Sequence, residues 1–203
     1  MSEKKPSRSE QKRRAILDAA KRVFQEQGVQ ASSMDELAAS AQVSKRTVYN
    51  HFASKEALIM ALIAELWQRA TLSTDGTYDA DAGLQGQLCQ LLESEIDTIC
   101  SREYIELNRV AFDHFFHRPE ALRRQIEKFS SHETAVKRWI RAARADGRLG
   151  ELDVDIATAQ VHNLVKGSCF WPQLMQVAPL LDERERRALA ERTAALFLSH
   201  YRA

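Results

Sequence analysis

Six of the seven residues from Lys45 to His51 carry side chains that donate hydrogen bonds: Lys45, Arg46, Thr47, Tyr49, Asn50 and His51. A helix that only packs against a core has no use for that density of donors. The chemistry it permits is recognition of a polyanion whose surface also carries readable edges. An arginine can meet guanine O6 and N7 as a bidentate pair, and lysine and tyrosine can reach phosphate oxygens. Val43 and Val48 supply a small apolar underside, and Phe52 an anchor at the end. For Arg46 the alternative is a solvated surface arginine.

Presenting those donors requires a rigid support, and the neighbouring residues encode one. Ser33-Met34-Asp35-Glu36 has the form of a capping box, in which the serine oxygen accepts a backbone N–H and the glutamate reaches back to the cap. Leu37 and Ala38 carry that helix to Ser40. Ala41-Gln42-Val43 makes a three-residue turn, and Ser44 caps the donor-rich helix 45–51. Two short helices around a tight turn are the helix-turn-helix device, whose second helix enters the major groove. A first helix is expected from residues 9–11 to 27, with Ile16, Leu17, Ala20, Val23 and Phe24 at helical spacing and Gly28 past its end. Ser54 caps a fourth helix from 55 to about 70.

A Ser-, Thr-, Asp- and Gly-containing linker follows at 71–83. Helices are then expected near 84–101, 102–117, 119–145, 155–176 and 182–201. Pro119 suits a first turn, Asp146-Gly147 an ending, and Asp182-x-x-Glu185 a second capping box. Trp171-Pro172 interrupts an apolar helix and should kink it. The reading is all-α. Residues 1–54 form an arm and helix-turn-helix domain, helix 55–70 links it onward, and 71–203 form a larger helical domain.

Composition agrees. The 203 residues are 44% hydrophobic, with only 7 Gly and 4 Pro, and no run alternates as a strand would. The net charge of +1 says nothing about nucleic acid, but residues 1–24 hold eight bases against three acids. That segment reads either as a solvated tail or as a phosphate-seeking arm. Three cysteines without a CxxC pair, Cys89, Cys100 and Cys169, fit a reduced compartment. No apolar leader and no apolar run of about 18 residues is present, so a cytoplasmic location is expected. There is no GxSxG, HExxH, phosphate loop or glycine-rich cofactor turn. An enzyme is therefore not expected, and neither catalytic residues nor a cofactor are assigned.

Residues 11–60 resemble the DNA-binding domain of the TetR/AcrR family. The likeness rests on Ser33-Met34-Asp35-Glu36-Leu37-Ala38 and on Val43-Ser44-Lys45-Arg46-Thr47-Val48-Tyr49-Asn50-His51-Phe52-x-Ser54-Lys55-Glu56-x-Leu58. The segment Asp146-Gly147-Arg148-Leu149, followed by Lys166-Gly167-Ser168-Cys169-Phe170-Trp171-Pro172, is similar to the AefR-like subgroup of C-terminal domains. By this resemblance Tyr49 and Lys55 match phosphate-holding positions, and Thr47 matches a phosphate or groove contact. Lys45, Arg46 and His51 match positions facing bases or backbone; Ser33, Ser44 and Asn50 complete the candidate DNA-facing set. Two residues depart from the pattern. Gln42 and Arg46 stand where the family has, usually or often, glycine. If Gln42 takes a positive φ, the strain is about 1 kcal/mol; Arg46 adds a long donor to the reading face.

The resemblance also implies a ligand pocket in the second domain. Phe112, Phe115, Phe116, His132, Trp139, Phe170 and Trp171 are its candidate lining; core packing is the alternative for each ring taken singly. His114 and His117, with His132 or Asp113, have a metal-compatible spacing, but no metal is expected. Redox sensing by Cys100 or Cys169 would require exposed, acidic thiols. Val161, Leu164, Val165 and Cys169, with Leu189, Leu196 and Phe197, give the last two helices apolar faces suited to a four-helix homodimer seam. The expected function is a repressor released from a near-palindromic double-stranded DNA operator by a small apolar or aromatic effector. The alternative is a DNA-binding regulator without a small-molecule ligand, acting as an activator or under a protein partner.

Overall fold

The computed structural model describes residues 7–72, 76–116, 120, 123 and 133–203. Among these the order is α1 (Arg8–Ala31), α2 (Met34–Ser40), α3 (Lys45–His51), α4 (Lys55–Leu72), α5 (Leu84–Ile99), α6 (Arg102–Phe116), α7 (Ala135–Ala145), α8 (Val154–Cys169), α9 (Trp171–Leu174) and α10 (Glu183–Tyr201). No strand occurs among the described residues; Leu149 and Arg202 form one isolated bridge. The chain divides into two units, 1–65 with 107–119, and 66–106 with 120–203. Helices α4 and α6 contribute residues to both.

In the first unit, α1 starts at a capping box: Glu10 N–H donates to Ser7 Oγ at 3.2 Å, and Ser7 N–H to Glu10 Oε2 at 2.7 Å. Its face of Ile16, Leu17, Ala20, Val23 and Phe24 is buried. Gly28 takes φ 80°, ψ 163°, an extended positive-φ geometry open essentially to glycine alone, which breaks the regular helix there. A further helical turn follows, so α1 extends past the expected end at 27 to Ala31. Leu37 and Ala38 of α2, Val48 of α3, Phe52, and Leu58, Ile59, Leu62 and Ile63 of α4 complete this core.

In the second unit α5 packs on α7, α8 and α10, and α8 also packs on α7, α9 and α10. The core joins Leu88, Leu92 and Ile96 of α5 to Trp139 and Ile140 of α7, Val161 and Val165 of α8, and Ala194 and Phe197 of α10. The loop before α5 is clamped from several directions. Arg148 donates to the carbonyls of Ala80 and Ala82 at 2.7 and 2.8 Å, and Tyr78 Oη donates to Asp146 at 2.6 Å. Gly76 lies so near Ala135 that a Cβ there would meet it at 2.8 Å, which demands glycine.

Two expected helices are divided. The continuous helix over 119–145 is interrupted, because Thr134 has extended backbone (φ −72°, ψ 156°) and its hydroxyl accepts the Lys137 N–H, so that α7 starts anew there. Residues 119, 121–122 and 124–132 of that expectation lie outside the described residues, as does 117 at the end of the expected helix 102–117. The helix over 155–176 ends at Cys169. Phe170 leaves helical geometry (φ −126°, ψ −61°), and Pro172 sits in the first turn of α9, where its missing N–H costs no ladder bond.

Candidate nucleic-acid interface

The helix-turn-helix pair is built from bonds between near neighbours. Ser33 Oγ accepts the Glu36 N–H at 3.2 Å, while Glu36 Oε2 accepts Ser33 N–H at 2.8 Å. Ser44 Oγ accepts the Thr47 N–H at 3.1 Å and pairs with the Thr47 hydroxyl at 2.8 Å. The hydroxyls of Ser33 and Ser44 are thus engaged in holding α2 and α3. Gln42 has φ 54°, the left-handed conformation the turn requires. The exposed amide side chain leaves that strain unshared with any packing conflict.

Val48 is fully buried and directs α3's opposite side outward. Lys45, Arg46, Tyr49 and Asn50 are exposed, and Thr47 and His51 half-buried. Tyr49 is a large ring left 45% exposed, which a packing role would not produce. Lys45 is tied to Asp35 of α2 by an ion pair of 2.8 Å. The hydrogen bond to Asp35, then its charge, raise the Lys45 pKa above the usual lysine value. Arg46 makes no ion pair among the described residues, so its guanidinium is available. Phe52 is buried, and the Arg13 guanidinium lies over its ring, 5.3 Å from the centroid.

Lys55 is placed differently from these exposed donors. Its ammonium donates to the carbonyls of Val29 at 2.7 Å and Ser32 at 2.9 Å, in a half-buried position. Sequence spacing offered no sign of these partners, nor of Asp35 beside Lys45.

Of the seven residues singled out for a ligand, Phe112, Trp139, Phe170 and Trp171 have described side chains, and Phe170 and Trp171 stand edge-on to each other at 4.9 Å. Trp139 is fully buried, with its indole N–H donated to Gln87 Oε1 at 3.2 Å and Tyr78 edge-on at 6.1 Å. Phe170 is buried edge-on to Tyr104 at 5.9 Å, whereas Trp171 is 41% exposed. Phe112 is half-buried on α6. The side chains of Phe115 and Phe116, and those of Asp113 and His114, lie outside the described residues, as do His117 and His132. No cluster of metal-binding side chains occurs among the described residues. Burial pushes the Cys169 thiol up to about 12, and burial followed by the charge of Glu93 pushes that of Cys89 up to about 11. Burial likewise raises Cys100. None has the acidic character that redox sensing requires.

The apolar residues of the last long helices divide in two. Val161, Val165, Cys169, Leu189 and Phe197 are spent inside the unit, while Leu164 and Leu196 face out. Between α8 and α10 runs an open groove of about 650 Å³, lined by Gln160, Asn163, Leu164, Leu196, His200 and Tyr201 among others. Its lining includes none of the four ligand candidates whose side chains are described. Among the described residues no helix is long and apolar enough to cross a membrane.

Comparison with known proteins matches both units. Residues 16–62 fit the model of bacterial regulatory proteins of the tetR family, and 86–203 that of the AefR-like transcriptional repressor C-terminal domain. A TetR family transcriptional regulator from Pseudomonas syringae pv. tomato is 37% identical, with 95% of this chain and 97% of that one covered and a TM-score of 0.77. The flavonoid-responsive regulator FrrA is 26% identical over 95% of this chain and 97% of its own, with a TM-score of 0.72. The Escherichia coli regulator UidR is 45% identical over 58 residues, 29% of this chain and 30% of its own length. The match thus spans under a third of that curated relative. Proteins of this kind are transcriptional regulators and not enzymes, and α2 and α3 lie inside the segment that fits the tetR family model. The chain belongs to the TetR family of bacterial transcriptional regulators.

Proposed function

We propose that the chain is a homodimeric repressor whose hold on a near-palindromic operator is relieved by a small apolar or aromatic molecule. The observation that carries the DNA reading is α3 itself, a seven-residue helix with a buried Val48 on one side and exposed Lys45, Arg46, Tyr49 and Asn50 on the other. Arg46 is assigned to a base edge, and Lys45, Thr47, Tyr49 and His51 to phosphates or groove edges. Asn50 faces the same groove, and Ser33 and Ser44 hold the two helices at its rim. One such helix spans only a few base pairs, so useful specificity needs two copies in successive major grooves, about 34–36 Å apart.

The second copy is assigned to the groove between α8 and α10, where Leu164 and Leu196 are outward-facing apolar residues in a polar setting. The likeness to a flavonoid-responsive regulator supports a flat, largely apolar effector. A second reading is favoured by the packing of Trp139 and Phe170, rings already filled in by protein. In it the regulator responds to no small molecule. A screen of flat aromatic compounds for release of the protein from its preferred DNA separates the two. Release by a member of that class supports the effector-controlled repressor; tight binding that no compound disturbs supports the second reading.

A further inference from the structure

Lysine at the start of a helix is electrostatically misplaced, because the free N–H groups and the positive end of the dipole gather there. Lys55 opens α4, yet its ammonium does not stay with α4's first turn. It reaches back 26 and 23 residues in sequence to the carbonyls of Val29 and Ser32. Those carbonyls lie just beyond Gly28, where α1 departs from helical geometry and its last acceptors lose their partners. Val29 O also takes the Ser32 N–H at 3.3 Å and the Ser32 hydroxyl at 2.8 Å. Ser32 is only 5% exposed, so this charge-assisted pairing is shielded from water.

The next residue, Ser33, is the cap of α2, held by Glu36. The corner that ends α1 and begins α2 is therefore fastened to the first turn of α4 through one side chain. We infer that Lys55 is a positioning residue for DNA binding, a clasp that sets the α1–α2 corner against α4 and so fixes how α3 is presented, and not a phosphate ligand. This rests on the DNA-binding reading above. Two of the ammonium's three donors are committed to backbone carbonyls, and the charge compensates a helix C-terminus. Removing it leaves the number of protein–phosphate contacts unchanged and lowers affinity by loosening the reading unit before it binds.

The test is the dependence of DNA affinity on salt for the full-length protein, its Lys55→Met and Lys55→Arg variants, and Arg46→Ala, with amide hydrogen exchange on each free protein. Lys55→Met keeps the stem and loses the charge. The clasp predicts about tenfold weaker binding at every salt concentration. It also predicts a slope of log K against log [salt] equal to wild type, and faster exchange across residues 29–36. Lys55→Arg keeps the charge with a different donor geometry, so the clasp predicts an intermediate loss of affinity, whereas a phosphate contact would be preserved. A slope flattened by about 1 in Lys55→Met, or unchanged affinity and exchange, overturns the inference. If Lys55→Met fails to fold, Lys55→Arg with wild-type affinity and exchange does so alone. Wild-type protein that binds no DNA overturns the DNA-binding reading instead, and the exchange data still judge the clasp.

Discussion

The two units hold their shape over different distances along the chain. Around α2 and α3 the helices are capped by residues three apart, Ser33 with Glu36 and Ser44 with Thr47, and a longer-range tie is Lys55, which reaches Val29 and Ser32 across 26 and 23 positions. In the unit built on α5, α7, α8 and α10 the shaping bonds join residues farther apart: Trp139 to Gln87 across 52 positions, and Tyr78 to Asp146 and Arg148 to Ala80 across 68. A scaffold closed by local caps can leave its outward side chains uncommitted, which is what a reading surface needs. A scaffold closed by distant clamps commits its large side chains to closure. Polar or aromatic residues in the two units therefore deserve opposite default readings. An exposed donor on α3 is read first as a candidate DNA contact, even where, as at Lys45, it has a partner in the free protein, and a large ring in the second unit is read first as a packing element.

Trp139 gives the largest expected effect. If it is a packing element, Trp139→Ala should destabilise the protein by about 3–5 kcal/mol, while Trp171→Ala, at an exposed ring, should stay within about 0.5 kcal/mol. Denaturant unfolding checks both, and similar small effects for the two would erase the distinction between the rings. Next in size, Arg46→Ala should cost about 1–3 kcal/mol on the best DNA site and relax preference at one position in each half-site. Competition binding with single-base variants reads this directly. A uniform loss on all sequences would move Arg46 from the bases to the backbone.

A smaller effect is expected in the turn. Gln42→Gly should relieve about 1 kcal/mol of left-handed strain, and the β-branched Gln42→Val should destabilise; thermal unfolding compares them. The smallest effects concern the thiols. Cys100 and Cys169 should resist alkylation at neutral pH in the folded protein and react readily once it is unfolded. Because burial raises the Cys169 thiol from its ordinary value near 9 to about 12, the folded state keeps its proton where the unfolded state has lost it. That contribution is complete below about pH 9 and is lost as pH rises toward 12. Unfolding followed from pH 8 to 12 should show the decline in wild type and a shallower one in Cys169→Ala.

The same difference in range explains what could be read from residue order. Ser33-x-x-Glu36, Ser44 and the turn at Gln42 are contained in short windows, so α2, α3 and the donors on α3 were legible, including the positive φ. Lys55 was legible as a cation at a helix start, but its carbonyl partners lie on another helix's end. The break at Thr134 had a local sign in the weak helix formers Ser130, Ser131, His132 and Thr134, but it is flanked on both sides by runs of good helix formers that favour one continuous helix. The rings were visible as a cluster in sequence, yet whether each fills a core or faces a cavity depends on Gln87, Tyr78 and Tyr104, which no local pattern connects to them.

In the proposed function α3 reads DNA as one half of a symmetric pair. Selection of bound fragments from a random DNA pool by the purified full-length protein tests it most directly. The expected result is enrichment of a near-palindrome whose half-sites lie about one helical turn apart, or slightly more. Arg46→Ala is also expected to lose preference at symmetry-related positions. Enrichment of a single asymmetric half-site, bound at full affinity by a monomer, would contradict the symmetric pair.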